Sequence, residues 1–88
     1  MPQNKSTITV RILFFGAARD ATGHEEIDFA LTLPANTESA RSEIFSRYPD
    51  LQRFGNTLLL AVNQEYADDS HAVTSKDELA VIPPVSGG

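Results

Sequence analysis

The sequence predicts an α+β domain in which a mixed sheet of about five strands packs on one main helix. Two early segments alternate apolar and polar residues, a central segment carries apolar residues at helical spacing, and two apolar runs follow. The 88 residues are enough for one modest core and too few for two. We therefore predict one domain over residues 1–84, followed by a flexible tail of residues 85–88.

Alternation predicts the first two strands. One runs from Thr7 and the other from Glu25 to Leu33, and together they form an antiparallel hairpin. Their apolar faces are Ile8, Val10, Ile12 and Phe14 in the first strand, and Ile27, Phe29, Leu31 and Leu33 in the second. Residues 16–23 form a short helical turn between two glycines. Arg19 in this turn is either solvated or part of a partner site.

A helix is predicted from a cap at Asn36 or Thr37 to about Tyr48, where Pro49 ends it. Its apolar face is continued by the following loop, and the face and loop together contribute Ala40, Ile44, Phe45, Tyr48, Leu51 and Phe54. Arg41 falls on this apolar face. Either its stem packs while its charged head reaches solvent, or the helix is rotated from this interpretation.

The segment from Thr57 to Val62 is apolar on both faces, which is typical of a strand that is covered on both sides. We expect it to be central and buried, and its second cover is either another protein or a loop of this chain. Gly55-Asn56 and Asn63-Gln64 are predicted turns, residues 65–67 a short strand, and residues 78–82 the last strand.

A parallel pairing of the first and last long strands through the helix gives the β-grasp (ubiquitin-like) arrangement. The competing topology, an antiparallel ferredoxin-like sheet, normally needs a second helix that the pattern does not supply.

Composition limits the possible partners and chemistry. Twelve acidic residues against seven basic ones give a net charge of −5, which disfavours nucleic acid and favours a basic protein surface. The chain has no cysteine, hence no thiolate metal site and no thiol nucleophile. His24 and His71 lack neighbouring ligands, so we expect no metal site. No membrane span or secretory leader is evident, and a cytoplasmic location is expected.

The segment Ile82-Pro83-Pro84-Val85-Ser86-Gly87-Gly88 is the most informative one. The two prolines cannot continue a sheet ladder and direct the chain into an extended, solvated path. Glycine permits the close backbone approach that a narrow channel requires. The reactive group of such a tail is its α-carboxylate, with a reference pKa of about 3.5. Conversion to an acyl adenylate in another protein's site would activate it towards sulfide or an amine.

The run Leu79-Ala80-Val81-Ile82-Pro83-Pro84-Val85-Ser86-Gly87-Gly88 resembles the small subunit of molybdopterin synthase, a ubiquitin-like sulfur carrier. Residues 60–63 and 13–19 support the resemblance, which extends from about Val10 to Gly88. It implies that an E1-like adenylyltransferase uses ATP to activate Gly88, which becomes a thiocarboxylate. It also implies that the large subunit receives the tail and passes the sulfur to cyclic pyranopterin monophosphate.

The chain departs from the family at Arg41 and Glu38, where apolar residues are usual, and at Val81-Ile82, where aromatic residues often stand. Gly88 is the expected catalytic residue of a subunit that is not catalytic alone and binds no cofactor. The expected tail-insertion residues are Pro84, Val85, Ser86 and Gly87, and the expected partner-interface residues are Phe15, Leu58, Leu60, Val62, Val81 and Ile82.

Three alternatives use the same sequence differently. In the first, the chain is a sulfur carrier for thiamine or for transfer RNA thiolation. In the second it is a ubiquitin-like protein modifier, and in the third it is a noncatalytic binding module.

Overall fold

The structure is a computed structural model that describes residues 6–84 of the 88-residue chain. Within these residues, no helix is both long enough and apolar enough to cross a membrane. The elements in chain order are β1 (Thr7–Phe14), α1 (Gly16–Thr22), β2 (Glu26–Thr32), α2 (Thr37–Arg47), a 3-10 segment (Pro49–Thr57), β3 (Leu59–Val62), β4 (Glu65–Tyr66) and β5 (Glu78–Ile82).

The strands form a single five-stranded sheet in the order β2-β1-β5-β3-β4. Strand β1 pairs antiparallel with β2 and parallel with β5, and β3 pairs antiparallel with both β5 and β4. A parallel pair joined through a helix is the predicted β-grasp arrangement, which is confirmed. The ferredoxin-like alternative, which has no such parallel pair, is excluded.

The core lies between one face of the sheet and α2. Alternation in β1 buries the predicted residues Val10, Ile12 and Phe14, each at most 2% exposed. The helix contributes Ala40 and Ile44 to the same cluster. Further core residues are Leu31, Leu51, Leu58, Leu60, Val62, Val73, Leu79 and Val81. The prediction for Leu33 is wrong, because it follows the end of β2 and remains 40% exposed.

Helix α2 begins with a reciprocal cap between Asn36 and Ser39. The Ser39 N–H donates to Asn36 Oδ1 at 2.8 Å, and the Asn36 N–H donates to Ser39 Oγ at 3.0 Å. The next two amides, of Thr37 and Glu38, donate to carbonyls of the loop over residues 68–71, at 3.0 and 2.9 Å. The cap predicted at Asn36 is confirmed, and these bonds fix α2 to the loop before β5.

Two side chains of α2 satisfy backbone groups at opposite sides of the sheet. Arg41 donates from Nη1 to the carbonyl of Leu58 at 2.6 Å, just before β3. Glu43 accepts the N–H of Thr32 at 3.2 Å, at the end of β2. Unpaired backbone groups are costly when buried, so these contacts explain a charged residue beside the apolar face. Arg41 is half-buried, and its charged end binds the backbone rather than reaching solvent.

The prediction that the Thr57–Val62 strand is central needs correction. The strand begins at Leu59, because the preceding residues form the 3-10 segment, whose Gly55 has a positive φ of 56°. This places the predicted turn at Gly55 inside that segment. The central strand is β5, and β3 lies between β5 and the two-residue β4. Its burial is largely confirmed, with Leu59 as the exposed exception at 43%.

Candidate functional site

The face of the sheet opposite α2 is open and divides into a charged part and an apolar part. Cross-strand register places Arg11 between Asp28 and Glu78, and the same arginine forms an ion pair with Glu26 at 3.2 Å. The next cross-strand row on the same face consists of Leu13 on β1, Ala80 on β5, Ala61 on β3 and Tyr66 on β4. The composition of this face therefore changes from charged to apolar towards the end at which β1 and β5 finish.

We call the apolar part the apolar patch; its residues are Leu13, Phe15, Leu59, Ala61, Tyr66, Ala80 and Ile82. Ala61 lies on this face but is covered by its neighbours and is 2% exposed. Phe15, Leu59 and Tyr66 are 47%, 43% and 69% exposed. A shallow cleft of about 340 Å³ lies over most of the patch. Large apolar side chains exposed on one contiguous surface make this patch a candidate interaction site.

The chain leaves the sheet beside this patch. Because β1 and β5 are parallel, their C-terminal ends lie side by side at the same end of the sheet. There the N–H of Phe15 donates to the carbonyl of Val81 at 3.1 Å. Gly16 then turns the chain into α1 with a φ of +52°, which favours glycine. A Cβ built on Gly16 would lie 3.5 Å from Cγ of Pro83, so the turn passes directly beside the exit.

The predicted tail residues fall mostly outside the described part. Pro84 is exposed and lies two residues after the end of β5, separated from it by Pro83. Val85, Ser86, Gly87 and the proposed reactive residue Gly88 lie outside residues 6–84, so their roles stay predictions.

The expected interface residues divide into two groups, and one group needs correction. Phe15 and Ile82 belong to the apolar patch. Leu58, Leu60, Val62 and Val81 are at most 5% exposed and belong to the core cluster, which does not include the patch residue Ala61. These four side chains therefore do not lie on the open face. In β3 the prediction named only side chains of the core-facing parity, and in β5 it named one of each, Val81 and Ile82.

Sequence reasoning missed Leu13, Leu59, Ala61, Tyr66 and Ala80 as patch residues. The parity of β1 carried the missing signal: Ile12 and Phe14 are buried, so Leu13 and Phe15 must face the other way. Register then extends that face across the sheet.

A hydrogen-bonded turn fixes the start of β5. Asp77 accepts the N–H of Thr74 and the side-chain amide of Asn63, both at 2.8 Å. Asn63 in turn accepts the N–H of Glu78 at 2.9 Å. The bond from the Thr74 backbone is the main cause that lowers the pKa of Asp77 below its ordinary value of 3.8, with a contribution from Asn63. This network ties the β3–β4 turn to β5, at the end of the strand opposite the chain exit.

Across residues 6–84, no group of three metal-ligating side chains is close enough to hold a metal ion. His24 and His71 are both exposed. Arg19 is also exposed, and its Nη1 lies 3.4 Å from Oε2 of Glu25. An ion pair between two solvent-exposed side chains adds little to stability. The features of the described residues that bear on function are the apolar patch and the chain exit beside it.

The sequence profile of the ThiS family matches residues 12–88. The chain belongs to the ThiS family. The molybdopterin synthase sulfur carrier subunit of Caenorhabditis elegans is 41% identical over 85 residues, which are 92% of this chain and 99% of that protein. The Arabidopsis thaliana protein of the same name is 35% identical over 83 residues, 94% of this chain and 86% of that protein.

Solved structures agree with the fold of this ThiS-family chain. Small archaeal modifier protein 1 of Haloferax volcanii superposes with a TM-score of 0.79 at 24% identity, over 91% of this chain and 99% of that one. A chain from the complex of subunits 1 and 2 of the molybdopterin-converting factor of Helicobacter pylori gives 0.62 at 22% identity, over 92% of this chain and 100% of that one. At these identities the likeness concerns the fold alone.

Proposed function

We propose that this ThiS-family chain is the sulfur carrier subunit of a molybdopterin synthase and carries sulfur on the carboxylate of Gly88. Full-length similarity to proteins of that name supports the proposal, at 35–41% identity in the plant and nematode relatives. The Gly87-Gly88 pair supplies a carboxylate with no side chain on its last two residues.

The observation that carries the proposal is the position of the chain exit beside the apolar patch. Parallel pairing of β1 and β5 brings Pro83 next to Gly16, at the end of the sheet where Phe15 and Ile82 are found. A partner that covers the patch is thereby in position to receive the residues that follow Pro84. The surface supplies affinity, and the tail supplies chemistry.

The chemistry proceeds through two acyl derivatives of Gly88. An E1-like activating enzyme transfers AMP from ATP to the carboxylate and releases pyrophosphate, which gives an acyl adenylate. A sulfide equivalent then displaces AMP to form the thiocarboxylate. In the large subunit the sulfur passes to cyclic pyranopterin monophosphate towards the dithiolene, and hydrolysis of the acyl group restores the carboxylate.

Catalytic groups belong to the partners in this proposal. The described part of the chain contains no metal-ligating cluster, and the whole chain contains no cysteine. We expect the large subunit to present an apolar surface surrounded by Lys and Arg, because the chain carries a net charge of −5. The reaction is assigned to the cytoplasm as part of the proposal.

Reconstitution tests the pathway. The chain is incubated with the activating enzyme, ATP and a sulfur donor, then mixed with the large subunit and cyclic pyranopterin monophosphate, and molybdopterin is measured. We expect product from the full chain and none from the variant that lacks Gly88. A chain that gives no molybdopterin but supplies sulfur to thiamine thiazole synthesis would contradict the assigned pathway.

A further inference from the structure

The outer edge of β2 is a second surface, separate from the apolar patch. In the β1–β2 ladder the N–H of Phe14 donates to the carbonyl of Glu25, and the N–H of Leu33 donates to the carbonyl of Ser6, both at 2.9 Å. Alternation then directs the backbone groups of odd-numbered β2 residues towards β1. The backbone groups of Glu26, Asp28, Ala30 and Thr32 point away from the sheet.

Among residues 6–84, the structure shows an intrachain partner at one end of this edge. Glu43 accepts the outward N–H of Thr32, as described above. By their position in the ladder, the outward N–H and C=O groups of Asp28 and Ala30 have no strand beside them in the described part of the chain. A row of unpaired backbone groups is a template for strand addition.

A groove runs along this edge and gives it a shape that a flat strand edge lacks. It has a volume of about 520 Å³ and lies between β2 and the end of α2. Its apolar wall is formed by Ile27, Phe29 and Tyr48, and the groove is also lined by His24, Asp28, Ala30 and Arg47. The Tyr48 ring is held edge-on between Phe14 and His24, with centroid distances of 5.6 and 5.9 Å. The aromatic wall is therefore in place before any ligand arrives.

Side-chain alternation determines which residues an added strand must carry. All four residues line the groove. By alternation along β2, the side chains of Ile27 and Phe29 point to the core side of the sheet, and those of Asp28 and Ala30 point to the open side. A residue placed opposite Phe29 meets an apolar wall. Its neighbour along the added strand meets Asp28, which has no ion-pair partner among the described residues, since Arg11 pairs with Glu26. Apolar residues alternating with basic ones fit both sides.

A second copy of this chain fits the edge poorly. Each copy carries a net charge of −5 and would bring its own Glu26 and Asp28 to the shared edge, where like charges on neighbouring strands are destabilising. We propose that the β2 edge docks an extended segment of a partner protein in which basic and apolar residues alternate, by strand addition at Asp28 and Ala30. The site is independent of the proposed sulfur transfer.

The test uses the full chain, labelled with ¹⁵N, and a short amidated peptide that alternates lysine with isoleucine or valine. We expect saturable NMR shifts at the amides of Asp28 and Ala30, and slower hydrogen exchange there because both amides become hydrogen-bonded. The amides of Ile27 and Phe29, already bonded to β1, keep their exchange rates. A control peptide of the same composition with its lysines grouped at one end should bind about threefold more weakly.

Two variants separate the backbone contribution from the charge contribution. Ala30→Pro removes an outward N–H that β1 does not use, so the fold should persist and peptide affinity should fall about tenfold. Asp28→Asn should weaken binding about threefold, since the charge stays partly solvated. Asp50→Asn, which removes an exposed carboxylate from the 3-10 segment, is the matched control and should leave affinity unchanged.

Three outcomes would overturn the proposal. In the first, no saturable shift appears at Asp28 and Ala30 up to the solubility limit of the peptide. In the second, the shifts concentrate at Leu59 and Tyr66, so that the peptide prefers the apolar patch. In the third, the β2 amides change with protein concentration in the absence of peptide, so that a second copy occupies the edge. Should Ala30→Pro fail to fold, Asp28→Asn and the exchange measurement still decide the question.

Discussion

Leu59 offers a quantitative test of the apolar patch. Its side chain lies opposite Ile82 and keeps 43% of its surface exposed. Full burial of a leucine is worth about 1.5–3 kcal/mol, so a partner that covers the exposed part gains about 0.6–1.3 kcal/mol. Leu59→Ala should therefore raise the Kd for the large subunit about fivefold. Leu59→Glu also forces a carboxylate to lose water at the contact, which brings the total to about 3 kcal/mol and the loss of affinity to about 100-fold.

Leu33 is the matched control, because it is 40% exposed and lies after β2, at the opposite end of the sheet. The same two substitutions at Leu33 should change stability by similar amounts and leave the Kd unchanged. Isothermal titration calorimetry with the large subunit measures the affinity, and thermal unfolding measures the stability. Equal affinity losses at the two leucines, or a Leu59→Glu variant that binds like the wild type, would refute the assignment of the patch as the docking surface.

Arg41→Met should lower the free energy of unfolding by about 1–2 kcal/mol, because it leaves the buried Leu58 carbonyl without its donor. Urea titration measures this change, and the control Arg53→Met, at an exposed arginine of the 3-10 segment, should cause a much smaller one. Equal losses in the two variants would contradict a stabilising role for the Arg41–Leu58 hydrogen bond. Asp77→Asn should lower Tm above about pH 4. Because the folded-state pKa of Asp77 is depressed, the difference in Tm between wild type and variant should shrink as pH falls below 3.8 and through that pKa. A difference that grows on acidification would contradict the hydrogen bonds from Thr74 and Asn63 to the Asp77 carboxylate. Gly87→Val should abolish sulfur transfer while patch binding persists, because a β-branched side chain widens and stiffens the tail; retained molybdopterin formation would show that the channel admits side chains.

Most of the fold could be predicted from the sequence, because the apolar and polar residues alternate regularly in the first strands and the helix has a recognisable cap. Alternation in β1 and the cap at Asn36 gave two elements directly, and the parallel pairing of β1 with β5 followed from connection rules. Leu33 was misplaced because alternation cannot show where a strand ends.

The patch could not be predicted as well, for a physical reason. The β3 segment is apolar on both parities, so its sequence does not tell which side chains face the helix. Only the register with β5 and β1 shows that Leu59 and Ala61 share the open face with Leu13. Arg41 was ambiguous for a similar reason, since its carbonyl partner lies 17 positions away in sequence.

The central claim is that Gly88 carries the sulfur, and intact mass spectrometry tests it most directly. The chain is incubated with its activating enzyme, ATP and a sulfur donor, and the product is weighed and fragmented. We expect the mass to rise by the difference between sulfur and oxygen and the change to map to Gly88, whereas the mass of a chain with one residue added after Gly88 should stay unchanged. An unchanged mass of the full chain, or added mass on an internal residue, would show that Gly88 does not carry the sulfur.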